Sequence, residues 1–139
     1  MTDDAEGVQA CKLSVVDDEL RALFRDRDGR GILGTADFTS TGLNAASWTS
    51  EEVTTDLPGT FSFASAANEQ VISYRNQETG EAMLRRERNG IWEELSLRPG
   101  ENMGDSHVVY DASGTLHIAT SGLAADSVGV GFFRVCPEE

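Results

Sequence analysis

Three aspartates carry the sharpest chemistry in the sequence. The run Asp26-Arg-Asp28-Gly-Arg30-Gly31-Ile-Leu33-Gly-Thr-Ala-Asp37 puts carboxylates at the first, third and twelfth places of a loop. Gly31 falls at the sixth place and Leu33 at the eighth. A loop of this spacing can wrap a hard cation in oxygen ligands, so Asp26, Asp28 and Asp37 are candidate metal ligands and Ca2+ the cofactor they would take. A second set could contact an organic ligand: Trp48, Trp92, Tyr74 and Arg75. Exposed tryptophan beside polar groups suits stacking on sugars, while tryptophan recurring at one repeat position suits packing between units. His107 and His117 offer a metal or acid–base pair, but zinc needs three or four converging ligands and the sequence specifies no others.

The aspartate loop resembles the calcium loop of EF-hands, and Leu20, Leu23 and Phe24 have the i, i+3, i+4 spacing of an entering helix. The sequence departs from that pattern in three places. Arg30 stands where a third ligand belongs, Asp37 is shorter than the usual bidentate Glu, and Thr39-Ser-Thr-Gly42 breaks the exit helix. The opposing reading is a β-hairpin turn rich in Asp and Gly.

No residue is assigned a catalytic role. A glycosidase needs two carboxylates at a controlled separation, but among 24 acidic residues some pair always qualifies. There is no Gly-x-Ser-x-Gly elbow and no Gly-Lys-Ser/Thr phosphate loop. Arg85, Arg86 and Arg88, interleaved with Glu87, read as the solvated face of a strand.

The elements that would position these residues follow a repeat. Leu13–Asp26, Phe61–Asn76 and His107–Thr120 each read as a short apolar strand, a polar turn and an alternating strand. The turns are Asp17-Asp18, Ala67-Asn68 and Asp111–Gly114. Leu20, Ala22 and Phe24 are matched with Gln70, Ile72 and Tyr74, and with Leu116, Ile118 and Thr120. Third strands are expected over Ile32–Phe38, Glu81–Arg88 and Val128–Val135. Fourth strands open at Trp48 and Trp92, each leading to a Pro-Gly pair, and the third unit ends without one. The fold class is therefore all-β, made of antiparallel four-stranded blade-like repeats, with a β-sandwich or small barrel as the alternative.

A period of about 45 residues with a Trp strand and the step Asp111-Ala-Ser-Gly-Thr-Leu-His-Ile118 resembles the blades of sialidase-like and lectin-like β-propellers. The resemblance spans Leu13 to Val135. It implies a non-enzymatic binding module with shallow sites, its ligand a glycan or a protein surface. It also implies the alternative that the chain is a fragment of a sialidase-like glycosidase. Arg25, Arg75 and Arg134 recur near repeat positions without spelling an arginine triad. Three blades do not close a ring, so a homodimer completing a propeller is one implied partner. Gly7–Ala10 is a candidate strand for the last blade.

Length and composition bound the rest. A chain of 139 residues is one domain by length, read here as residues 11–136 between a flexible segment 1–10 and a tail 137–139. The net charge of −13 repels nucleic acid and anionic membrane surfaces, and no stretch is long and apolar enough to span a bilayer. Cys11 and Cys136 flank the repeat region, either as free thiols or as a disulfide clasping its two ends. The disulfide would place the protein in an extracellular or periplasmic, secreted setting.

Overall fold

The computed structural model describes residues 10–124 and 127–135, and for 122–133 and 135 the backbone alone. The described residues form twelve β-strands and one short 3-10 turn, Ala45–Ser47. All pairings are antiparallel. No helix among them is long and apolar enough to cross a membrane. Chain contacts divide the protein between Gly59 and Thr60 into two compact units.

The first unit is one sheet. β1 (Ala10–Val16), β2 (Glu19–Arg25) and β3 (Gly31–Thr39) run as a meander, and β5 (Thr49–Thr54) pairs with β3. β4 (Gly42–Leu43) is a two-residue return on β3. Asp17 and Asp18 both have positive φ, the geometry of a tight hairpin whose twist matches its strands. Their short side chains tolerate the left-handed region better than bulky ones.

The segment from Glu19 to Phe24 is thus a strand, and the helical reading of Leu20, Leu23 and Phe24 is overturned. Each of its residues has a ladder partner on both sides. Its burial also differs from simple alternation. Ala22 is buried on the expected face, while Leu20 and Phe24 are half-exposed and Leu23, on the opposite face, is fully buried. Ala10 and Cys11 belong to β1, paired with Arg25 and Phe24; residues 7–9 lie outside the described residues.

The second unit holds two sheets. β6 (Phe61–Ala66), β7 (Glu69–Arg75), β8 (Ala82–Arg88) and β9 (Ile91–Ser96) form a four-stranded meander. β10 (Met103–Tyr110), β11 (Leu116–Ala124) and β12 (Ser127–Val135) form a three-stranded one. β10 packs on β6 and β7. The core between the sheets is Ala64, Val71 and Leu84 against Val108, Leu116 and Ile118, with Leu97 and Tyr110 at its margin. Antiparallel blade-like sheets with a shared strand plan are therefore the architecture.

Turn chemistry changes the alignment of the third repeat. In Asp26–Arg30 the Asp26 carboxylate accepts from the N–H groups of Asp28 and Arg30, and Gly29 N–H donates to Asp26 O. In Asp111–Thr115 the Asp111 carboxylate accepts from Ser113 and Thr115, and Gly114 N–H donates to Asp111 O. The first of these turns joins β2 to β3 and the second joins β10 to β11. Asn76 heads a similar turn, one residue longer, between β7 and β8. By their turns, β10, β11 and β12 match the second, third and fourth strands of the other sheets. Asp111–Gly114 is not the counterpart of Asp17-Asp18, and the strand without a counterpart is the first rather than the fourth.

Candidate functional site

Of the four residues expected to contact a ligand, Trp48 belongs to the first unit, and within the second unit Arg75 parts from Tyr74 and Trp92. Tyr74 and Trp92 lie on one face of the second sheet, as the pairings Tyr74–Met83, Glu87–Trp92 and Arg85–Glu94 require. There they join two residues the sequence reading did not assign to a site. The Tyr74 hydroxyl donates to Glu94 Oε2, and Arg85 Nη1 lies 3.9 Å from the same oxygen. The Arg85 guanidinium stands 6.0 Å from the centre of the Trp92 ring, within reach of a cation–π attraction. Glu94 is exposed, and Arg85, Trp92 and Tyr74 are half-buried. The result is a shallow patch with two aromatic rings, one cation and one carboxylate. Arg85 and Glu94 could have been found from sequence only by placing β8 and β9 in register.

Arg75 points to the opposite face and donates to Asn102 Oδ1 at 2.7 Å. Arg25, its counterpart in the first sheet, donates to the Leu57 carbonyl at 2.5 Å. The glycine of each adjoining turn completes the arrangement: Leu57 N–H donates to Gly29 O and Met103 N–H to Gly80 O. These recurring arginines therefore fasten the segment that follows the fourth strand. Arg134 is exposed on β12, opposite His117.

Trp48 belongs to the first unit and lies over Gly34. A Cβ built on Gly34 would land inside the indole ring. Trp48 thus fills the space of a missing side chain on its own sheet.

The three aspartates of the loop do not converge. Asp37 lies six residue steps beyond Gly31 on extended β3, which carries it roughly 20 Å along the strand from the turn. Asp37 pairs with Glu19, and its N–H donates to Ser47 Oγ at 2.7 Å. At the turn itself, Arg30 takes the second oxygen of Asp26 at 2.6–2.7 Å. Desolvation alone would raise the Asp26 carboxyl, but the Arg30 N–H and guanidinium hold it below its ordinary value. Among the described residues no three His, Cys, Asp or Glu side chains gather closely enough to hold a metal. Asp26 and Asp28 thus belong to the turn between β2 and β3, and Asp37 to the far end of β3.

The histidines also part. His107 is exposed on β10. His117 Nε2 lies 2.7 Å from Asp111 Oδ2, while the other oxygen of Asp111 accepts from the Ser113 hydroxyl at 2.6 Å. The Ser113 hydroxyl, the His117 ring and the Thr115 N–H hold the Asp111 carboxyl well below the usual carboxylate range. Asp111 thus bridges Ser113 and His117, and the group locks the turn.

A denser cluster lies at the edge of the second unit's core. Glu69 accepts from Arg86 Nε, from Arg88 Nε at 2.6 Å and from the Tyr110 hydroxyl at 2.5 Å. Burial, and then the bond to Glu69 and its charge, push the Tyr110 phenol far above its ordinary value, with Arg88 acting the other way. Arg86 and Arg88 are therefore not a solvated strand face; they neutralise a half-buried carboxylate.

Cys11 is an exposed free thiol whose pKa is raised by desolvation, against the pull of Lys12. Cys136, and with it the expected Cys11–Cys136 clasp, lies outside the described residues. The chain matches no protein-family model and no curated protein sequence.

Proposed function

We propose that the protein is a non-enzymatic carbohydrate-binding module, and that Trp92, Tyr74, Arg85 and Glu94 form its binding surface. The observation that carries this reading is the convergence of Tyr74 and Arg85 on Glu94 beside a half-exposed Trp92. A sugar ring presents an apolar face for the indole and hydroxyls for a carboxylate and a guanidinium, which can accept and donate in turn. The net charge of −13 favours neutral glycans over sulfated or phosphorylated ones. We read the sheets as blades of a propeller-type assembly, which a second copy of the chain would complete; the common meander and the stacking of β10 on β6 and β7 support that reading.

The glycosidase alternative has its nearest residues in Glu69, Tyr110, Arg86 and Arg88. It is the weaker reading because Glu69 receives three donors and Tyr110 holds its proton, leaving neither a free base nor a ready nucleophile. A glycan array probed with the wild-type chain and with Trp92→Ala tests the proposal. Binding that Trp92→Ala abolishes supports it, and a wild-type chain that captures no glycan above background rejects it.

A further inference from the structure

The facing sides of the two sheets of the second unit carry buried hydroxyls beside the apolar core. Ser62 and Ser73 are cross-strand neighbours on β6 and β7, on the face that carries Ala64, Val71 and Leu84. Ser106 and Thr120 are cross-strand neighbours on β10 and β11, on the face that carries Val108 and Ile118. All four residues are more than nine-tenths buried. Ser62 Oγ accepts from Val108 N–H at 3.1 Å, which ties the first pair to the third sheet. The hydroxyls of Ser73, Ser106 and Thr120 have no hydrogen-bond partner among the described residues.

A buried hydroxyl without a partner is costly, and native proteins leave few of them. An internal water makes about three hydrogen bonds to such groups. We propose that Ser73, Ser106 and Thr120 form a built hydration site between the sheets, which holds ordered water as an integral ligand. The site joins both sheets, so the water bridges them and fixes their relative register where the apolar contacts alone are non-directional.

The two accounts of these hydroxyls give opposite signs on substitution. Thr120→Val keeps the shape and removes the hydroxyl, and Ser73→Ala removes another. If water bridges them, each variant melts below wild type, and the double variant loses less than the sum because both act on one network. If the hydroxyls are merely orphaned, Thr120→Val melts at or above wild type, and that result would overturn the proposal. A measurement on the unsubstituted protein stands beside these. Water-to-protein NMR cross-peaks of a long-lived water at Ser73 and Thr120 are expected, and their absence in a folded sample also overturns it.

Discussion

Trp48 and Trp92 take corresponding places in two sheets, and the residue beneath each ring separates their roles. Gly34 under Trp48 leaves a flat backbone for the indole to cover, whereas Arg85 beside Trp92 keeps that ring among charged groups. Gly34→Ala is expected to destabilise the fold by about 1–3 kcal/mol, as overpacking does, in a urea unfolding experiment. Trp92→Ala should leave the unfolding midpoint nearly unchanged while removing glycan binding, since its ring is only half-buried. The Asp111 turn gives a prediction in pH. Its carboxyl is depressed in the folded state, so the bonds from Ser113, His117 and Thr115 stabilise the fold above the unfolded value, about pH 4. That contribution declines as pH falls below this value toward the folded one. The melting temperature of Asp111→Asn should lie below wild type at pH 7, and the gap should narrow below about pH 4.

At the level of strands, burial on both faces distinguishes the central elements from the edge. Leu23 of β2 is fully buried, whereas Leu13 of β1 is 63% exposed. Leu23→Ala should cost about 2–5 kcal/mol and Leu13→Ala less than about 0.5 kcal/mol by the same measurement. Most strands were legible in the sequence because alternation and turn residues mark them locally. Ile32–Phe38 lies within β3, Glu81–Arg88 spans β8, and the Trp-led segments overlap β5 and β9. The third repeat was misaligned because Asp111–Gly114 looks like any polar turn until its bonds show it to be of the Asp26 type. The patch was half legible. Tyr74 and Trp92 stand out by type, but Glu94 becomes their partner only through ladder register, which one strand's composition does not encode. Arg75 recurs with Arg25 for a reason of linkage, not of ligand contact.

For the molecule as a whole, charge is the dominant quantity. Twenty-four acidic residues against eleven basic ones leave −13, and the paired sites described above consume several of the scarce cations. Self-repulsion opposes the compact state and weakens as salt shortens the screening length from about 30 Å at 0.01 M to about 8 Å at 0.15 M. The melting temperature should therefore rise over that range. A protein stabilised by its surface ion pairs would show the reverse.

The ladders pair strands that are neighbours along the chain, the short β4 excursion aside. This order of pairing is also an order of synthesis. Each hairpin can close as soon as its second strand leaves the ribosome, and no strand must wait for a partner from the far end of the chain. Little loop entropy has to be overcome before hydrogen bonds form, so each sheet should mature quickly for a β-structure. The slow event is then the packing of the finished sheets of the second unit, where the Ser62 hydroxyl must reach the Val108 N–H.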